Sequence, residues 1–209
     1  MEYITNEPVA SLIFVITILT SLMAFYNENV LSNLILHPYS VYRKQRVYTV
    51  ITSGLIHNDL MHLAFNMFSY CFFAFTLEDR IGHWQFGLLY IVSLILSDIS
   101  TIFKHKNNYN YYSLGASGAV SAVIFSFIMF YPVSMMMIMP IPVHMPAIVF
   151  GILYLVYCHF ASKHARDNVN HDAHLFGALS GVLITIILVP GCVTGFVQQI
   201  SVAVHSLLH

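Results

Sequence analysis

Two short segments within apolar sequence contain the residue types that serine hydrolysis requires. The first, GASGA at positions 115–119, contains Ser117, and the second begins at His174 and continues to Gly177 and Gly181. A serine hydroxyl is a weak nucleophile until a base removes its proton, and a neutral imidazole is the usual base. We therefore expect Ser117 and His174 to form a catalytic dyad if the fold brings them together.

His62 and Asn66 are candidates for stabilising a negatively charged intermediate. They are four positions apart, so on a helix they share one face. A polar side chain in an apolar segment is expected to point into a helix bundle, and the tetrahedral intermediate of acyl transfer needs donors aimed at its oxygen. The His62 imidazole, the Asn66 carboxamide and nearby backbone N–H groups could supply them. Asp172 would face away from His174 on a helix, so no acidic third member is expected.

The composition indicates an integral membrane protein. Hydrophobic residues make up 58% of the 209 positions and charged residues 8%, against roughly 25% charged residues in soluble domains. The apolar runs are continuous and do not alternate, which favours helices over a β-barrel. The net charge of −1 points to neither a nucleic-acid partner nor an acidic one. The three scattered cysteines predict neither a disulfide framework nor a metal-thiolate site.

The length accommodates about six membrane spans in one domain, 1–209, so the predicted fold is an all-α polytopic bundle. Glu2 and Glu7 precede the first apolar run without positive charge, which indicates a retained span and not a cleaved signal peptide. The segment 191–209 is expected to be an interfacial tail, with a seventh span as the alternative. The predicted spans are 9–26, 60–77, 84–103, 114–131, 147–160 and 173–189.

Two connections are longer than simple turns. Residues 27–56 mix basic residues with tyrosines and leucines, which indicates an amphipathic segment at the membrane interface. Residues 132–146 are apolar but contain four prolines, which predicts an irregular loop that lies along the membrane.

Small residues predict which spans pack together. His174, Gly177 and Gly181 fall on one face of the sixth span, and Gly118 and Ala122 form a small surface on the fourth. Glycine allows the backbone of another helix to come close. Close packing of these spans would bring His174 toward Ser117.

The same residues resemble the rhomboid family of intramembrane serine proteases, and the resemblance covers nearly the whole six-span core. The matching motifs are Gly-x-Ser-Gly at Gly115, Ser117 and Gly118; His-x-x-x-Asn at His62 and Asn66, with His57 upstream; Ala-His-x-x-Gly-x-x-x-Gly at Ala173, His174, Gly177 and Gly181; the turn at Glu78, Arg80 and Gly82; and the loop arginine at Arg46.

This resemblance implies a serine endopeptidase that cleaves single-span or multi-span membrane proteins in or near their transmembrane segments. Ser117 would be the nucleophile, His174 the base, and His62 and Asn66 the oxyanion donors, with no metal or cofactor. Two departures are visible. Gln45 stands where many members have tryptophan, and Ser121 stands where some have a tyrosine that stacks on the catalytic histidine. The residues with expected supporting roles are Gly115, Gly118, His57, Gly177, Gly181 and Arg46.

Other interpretations account for parts of the pattern. Small residues in a span commonly serve helix packing, and a polar residue such as Asp98 is commonly a hydrogen-bonded structural group. A metal-dependent enzyme or transporter could use the 12 histidines, but His-Glu-x-x-His is absent and His171-x-x-His174 lacks a carboxylate ligand. A non-proteolytic, rhomboid-like scaffold that binds transmembrane helices is the stronger alternative. Such relatives usually lack the serine or the histidine, and this sequence has both.

Loop charges and the family resemblance predict opposite orientations. The loops after the first, third and fifth spans carry seven of the eight cations, so the positive-inside rule places the Ser117 end in the cytoplasm. Rhomboid relatives open the site to the extracytoplasmic side of the cell (inner) membrane. We adopt the family orientation, because Arg46 has the character of a structural residue and an interface-bound first loop weakens the count. The cations are Arg43, Lys44, Arg46, Lys104, Lys106, Lys163 and Arg166.

Overall fold

Ten helices and one β-hairpin form the described part of the chain, residues 6–138, 143–164 and 169–208 of a computed structural model. The helices are α1 Pro8–Tyr26, α2 Glu28–Leu34, α3 Pro38–Tyr42, α4 Thr49–Thr52, α5 Leu60–Ile81, α6 His83–His105, α7 Ser117–Phe130, α8 Ala147–His164, α9 His171–Leu188 and α10 Cys192–Leu208. The strands are β1 Met135–Ile138 and β2 Val143–Pro146, and a 3₁₀ turn, Ser53–Leu55, follows α4.

Five of the described helices, α1, α5, α6, α8 and α9, are long and apolar enough to cross a membrane. This confirms the predicted all-α membrane bundle. The predicted fourth span is the 14-residue helix α7, about 21 Å long, against about 30 Å for the hydrocarbon core. The count of six spans therefore stays a prediction. The other predicted bounds lie within four residues of the observed ones, with the largest differences at the C-terminal ends of α5 and α8.

Helix α7 begins three residues later than predicted because the backbone at Gly115 cannot be helical. Its φ is +115°, a conformation that glycine adopts without strain. Its N–H donates to the Ser53 carbonyl at 2.9 Å, which ties the segment before α7 to the 3₁₀ turn. Ser117 thus becomes the first residue of α7.

Helix α5 continues past its predicted end because Glu78 is fully buried and serves another helix. The Glu78 carboxylate accepts the Val9 N–H at 3.1 Å and the Ala10 N–H at 2.6 Å. These two N–H groups belong to the first turn of α1, where backbone donors have no acceptor within the helix. The carboxylate also pairs with His83 Nδ1 at 2.7 Å. Glu78, which lies in the last turn of α5, therefore has a structural role.

Helix α7 occupies the centre of the bundle and α8 its periphery. Eleven of the fourteen residues of α7 are buried, but only Ala147, Gly151 and Cys158 are buried in α8. Helix α7 packs against α5, α6 and α9, and its apolar side chains join those of α5 and α6 in one core. The candidate serine is therefore carried by the most enclosed helix of the described chain.

The segment 132–146 was predicted to be irregular, and this was wrong for eight of its residues. Strands β1 and β2 pair antiparallel, from Met135 opposite Pro146 to Ile138 opposite Val143. Pro132 precedes the hairpin and Pro146 ends it, at positions where proline does not interrupt the ladder. Pro140 and Pro142 lie outside the described residues. The hairpin returns the chain to the start of α8.

The first loop, 27–59, is folded against the segment that precedes α7. Leu36 and Ser113 exchange both backbone hydrogen bonds at 3.0 Å. Arg46, a predicted supporting residue, donates through Nη2 to the carbonyls of Ser32 and of Asn33, the latter at 3.1 Å. These carbonyls lie in the last turn of α2, so Arg46 joins two parts of the loop.

The tail forms helix α10 and meets the end of α7 farthest from Ser117. Gln199 Nε2 donates to the Phe130 carbonyl at 2.9 Å. This contact satisfies a carbonyl at the C-terminus of α7, where four carbonyls lack partners within the helix. The interfacial position of 191–209 stays a prediction.

Candidate active site

Helices α7 and α9 touch through their backbones, as the small residues predicted. A β-carbon added at Gly177 would lie 2.1 Å from the Gly118 carbonyl oxygen, and one at Gly181 would lie 2.3 Å from that of Ala122. Ser117 precedes Gly118, and His174 lies one helical turn before Gly177. The N-terminal turns that carry the candidate nucleophile and base are thus neighbours.

Ser117 occupies the first position of a helix whose N-terminus has no side-chain cap within the described residues. Backbone N–H groups in the first turn of a helix lack acceptors within that helix, and the helix dipole makes this end favourable for negative charge. Ser117 is half-buried, whereas Gly118 is buried. An oxyanion next to Ser117 would therefore meet backbone donors as well as side chains.

His62 lies against the loop that leads to Ser117. A β-carbon at Gly115 would be 2.9 Å from His62 Nε2, so glycine leaves the space that the imidazole ring fills. His62 Nδ1 accepts the backbone N–H of Asn58 at 3.5 Å. The neutral ring then carries its proton on Nε2, the nitrogen that faces the segment before Ser117.

Asn66 lies one turn after His62, on the inward face of α5. Its side chain is buried, and Nδ2 donates one hydrogen bond to the His62 carbonyl at 3.0 Å. A carboxamide nitrogen carries two hydrogens, so this contact orients the group and uses one of them. The two predicted oxyanion donors are thus connected on a single helix.

His57 holds the segment before Ser117 through a chain of hydrogen bonds. The Ala116 N–H donates to His57 Nε2 at 3.4 Å, and Nδ1 lies 2.9 Å from Ser21 Oγ. Ser21 Oγ in turn donates to the Leu55 carbonyl at 3.0 Å. The neutral tautomer protonated on Nδ1 satisfies all three contacts. Burial, aided by the nearby His62 ring and opposed by Asp59, lowers the pKa of His57 to about 3.

Tyr154 in α8 lies beside the candidate base, and sequence reasoning missed it. Its ring is stacked with that of His174, with centroids 6.5 Å apart and an interplanar angle of 20°. Its hydroxyl is 2.8 Å from Ser121 Oγ. Ser121 stands where some members of the family that the sequence resembles have a tyrosine that stacks on the catalytic histidine. Here the ring comes from another helix, and the small serine both leaves room for it and binds its hydroxyl.

A second cluster next to His174 was also missed. Ligand atoms of Cys158, His171 and His174 lie within 4.8 Å of one another. The sequence prediction that the cysteines form no metal-thiolate site considered spacing along the chain, where Cys158 stands apart from the histidines. Contact between α8 and α9 brings them together.

Two acidic residues near the site have structural partners. Asp172 pairs with Lys104 of α6, which engages its carboxylate in a salt bridge between α6 and α9. Asp98 is buried and accepts a hydrogen bond from Ser53 Oγ at 3.5 Å. Because the Ser53 carbonyl also binds the Gly115 N–H, Asp98 supports the loop that positions Ser117.

Comparison with known proteins identifies the family. The family model described as the rhomboid domain matches residues 44–191. "Putative rhomboid protease YdcA" of Bacillus subtilis is 30% identical over 142 residues, which are 67% of this chain and 66% of that protein.

Two further relatives are mitochondrial proteins. RHOMBOID-like protein 12 of Arabidopsis thaliana is 24% identical over 169 residues, 73% of this chain and 50% of that protein. Presenilin-associated rhomboid-like protein A of Danio rerio is 28% identical over 141 residues, 66% of this chain and 37% of that protein. The alignments thus span between about a third and two thirds of these relatives' lengths.

Since the matched domain comprises more than half of the sequence, the chain belongs to the rhomboid family.

Proposed function

We propose that this protein is an intramembrane serine endopeptidase, with Ser117 as nucleophile and His174 as general base. The observation that carries the proposal is the backbone contact between Gly118 of α7 and Gly177 of α9. It makes neighbours of the two helix turns that bear the reacting side chains. Effective positioning of nucleophile and base is a large part of such catalysis.

The reaction follows from these positions. His174 accepts the Ser117 hydroxyl proton while Oγ attacks the scissile carbonyl carbon, and the carbonyl π electrons move to oxygen. His62 Nε2–H, the Asn66 carboxamide and backbone N–H groups at the start of α7 stabilise that oxyanion. The intermediate collapses, the amine leaves with the proton from His174, and an acyl-enzyme remains. Water, deprotonated by His174, then releases the acid and restores Ser117.

The substrates are proposed to be single-span or multi-span membrane proteins, cut in or near their transmembrane segments. Ser117 is the first residue of α7, which packs against helices long and apolar enough to cross a membrane, and this supports a substrate that lies in the membrane beside them. The non-proteolytic alternative, a scaffold that binds transmembrane helices, would use the same bundle without an activated serine.

The active site is proposed to face the extracytoplasmic side of the cell (inner) membrane, although the loop cations favour the opposite side. Several of these cations have specific partners within the protein. Arg43 donates to the carbonyls of Tyr39 and Lys106, Arg46 binds the end of α2, and Lys104 pairs with Asp172. Cationic side chains that bind other groups within the protein are a poor indicator of membrane orientation. Arg166 lies outside the described residues. Reporter fusions in the loop 106–116 decide the orientation.

Labelling of the purified chain by a fluorophosphonate tests the proposal without knowledge of the substrate. We expect labelling of the unaltered protein and none of Ser117→Ala, with strong reduction in His174→Ala. Ser206→Ala, which removes an exposed serine of α10, is the matched control and should label normally. Both dyad variants should also fail to cleave a single-span substrate in liposomes. Equal labelling of Ser117→Ala and the unaltered protein would overturn the dyad and favour the scaffold.

A further inference from the structure

We propose that Cys158, His171 and His174 form a binding site for a thiophilic divalent metal ion, best suited to Zn²⁺, and that the bound ion inhibits the protease. Metal binding by these residues stands on its own geometry. The inhibitory consequence rests on the proposed function, because it requires His174 to be the general base.

The three residues come from two helices that pack together. His171 and His174 are one turn apart on α9, and Cys158 lies in the C-terminal half of α8. Cys158 is fully buried, His171 is 4% exposed, and His174 is half-buried, so the cluster opens toward the side of the bundle where His174 is accessible. The cluster is thus enclosed at Cys158 and partly exposed at His174, the residue that it shares with the candidate active site.

The spacing is close to that of a zinc site. Zn–S bonds of about 2.3 Å and Zn–N bonds of about 2.0–2.1 Å place the ligand atoms of a tetrahedral site roughly 3.3–3.8 Å apart. The ligand atoms of the cluster all lie within 4.8 Å of one another. Side-chain rotations that close the largest separation by about an ångström would complete three corners of the tetrahedron, with water at the fourth.

The donor set selects the class of metal. One thiolate and two imidazoles suit Zn²⁺ and related transition ions, whereas Mg²⁺ and Ca²⁺ require oxygen ligands. The nearest acid along α9, Asp172, is paired with Lys104 and supplies no oxygen to the cluster. Binding converts the Cys158 thiol to a thiolate, and the proton leaves to solvent.

His174 cannot serve the metal and the reaction at once. A ring nitrogen that coordinates zinc donates its lone pair to the ion, and the imidazole is then unable to accept the proton of Ser117. Coordination also fixes the ring toward α8, where Tyr154 and Cys158 lie. The structure therefore combines a catalytic base with a ligand in one side chain, so that metal occupancy and proteolysis exclude each other.

Cobalt(II) is the direct probe of the site, because thiolate coordination gives a sulfur-to-cobalt charge-transfer absorption that does not depend on activity. The purified full chain in detergent should show this band when titrated with Co²⁺, and so should Ser117→Ala. Cys158→Ser should lose it. Cys71→Ser and Cys192→Ser are the matched controls and should retain it. Absence of the band in the unaltered protein, or its persistence in Cys158→Ser, would overturn the site.

The inhibitory role is tested by fluorophosphonate labelling with and without Zn²⁺, each variant being compared with its own zinc-free rate. Zn²⁺ should slow labelling of the unaltered chain at least tenfold at saturation, and a chelator should restore it. Cys158→Ser should be insensitive at the same concentration. Equal slowing of both proteins would refute inhibition through this cluster. A chain that never labels without zinc would contradict the proposed function, while the cobalt band would still decide whether the metal site exists.

Discussion

The backbone oxygen of Gly118 occupies the place that a β-carbon would need at Gly177, at a separation of 2.1 Å. Non-bonded carbon and oxygen atoms do not approach so closely, and the obstructing atom is backbone, which no rotamer change can move. Gly177→Ala must therefore separate α7 from α9. We expect the free energy of unfolding to fall by about 1–3 kcal/mol, which is typical of overpacking. Activity should fall as well, because Ser117 and His174 move apart.

Gly195→Ala is the matched control for this prediction. Gly195 lies in α10, and a β-carbon there meets no described atom within 4 Å. Alanine stabilises a helix by up to about 1 kcal/mol relative to glycine, so this variant should be unchanged or more stable. Thermal unfolding in detergent and fluorophosphonate labelling measure the two effects. Wild-type stability and labelling in Gly177→Ala would show that the helices are not held as close as the structure describes.

Tyr154 is expected to position the His174 ring from α8. Tyr154→Leu removes the stacked ring, and an aromatic pair contributes about 0.5–1.5 kcal/mol, so kcat should fall up to about tenfold with little change in KM. Tyr154→Phe keeps the ring and removes only the contact with Ser121 Oγ, so its loss should be smaller. Turnover of a model substrate across a pH series measures both, since a misplaced base alters the pH profile as well as the rate.

The exchange of the two side chains separates positioning from general damage. Ser121→Tyr in the Tyr154→Ser background places an aromatic ring on α7, one turn after Ser117, and leaves a small residue on α8. If ring contact with His174 is what matters, this double variant should recover part of the activity that Tyr154→Ser loses. No recovery, in a variant that unfolds at the wild-type temperature, would assign Tyr154 to packing alone.

Asn66→Ala should lower kcat without a matching change in KM, because an oxyanion donor acts on the transition state and not on substrate binding. Loss of one such donor in a soluble serine protease costs about 2.7–4 kcal/mol, and a smaller loss is expected here since His62 and backbone N–H groups remain. Asn29→Ala, in the exposed part of α2, is the control. An unchanged kcat in Asn66→Ala would remove this residue from the reacting site.

Candidate site residues could be predicted from the sequence where they lie on the same helix at helical spacing. His62 and Asn66 share a turn-to-turn relation on α5, and the glycines of α9 indicated its partner helix. Tyr154 and Cys158 could not be found in this way, because their importance depends on α8 lying beside α9, a tertiary contact without a local pattern. The start of α7 was misplaced for a similar reason, since the conformation of Gly115 depends on Ser53.

Hydrogen bonds also explain the limits of the loop predictions. Basic residues in the segment 27–56 indicated an interface-bound loop, but charge pattern alone cannot show that Arg46 binds carbonyls at the end of α2. Likewise, a proline count predicted no regular structure after α7, whereas strand pairing depends on which positions the prolines occupy. The six-span count and the interfacial position of the tail stay predictions.

His57 predicts a pH dependence of stability. It lies between α4 and α5, outside the spanning helices, and burial lowers its pKa from 6.5 to about 3. The unfolded chain therefore binds a proton at this position between pH 6.5 and 3, whereas the folded chain does not. Its contribution to stability is fully present above pH 6.5 and is lost as the pH falls, by at most about 1.4 kcal/mol per pH unit.

Comparison with His57→Gln isolates this contribution from that of the other histidines. Glutamine can accept the Ala116 N–H through its side-chain oxygen, and it does not titrate. Because it does not reproduce the fit of the imidazole between Ala116 and Ser21, the variant should be less stable than the unaltered protein at pH 8. As the pH falls from 6.5 to 4, the stability of the unaltered protein should fall more steeply and the difference should narrow. Unfolding of both proteins in detergent at several pH values measures this difference in stability. Parallel stability curves for the two proteins would mean that His57 is not buried in its neutral form beneath the Ser117 loop.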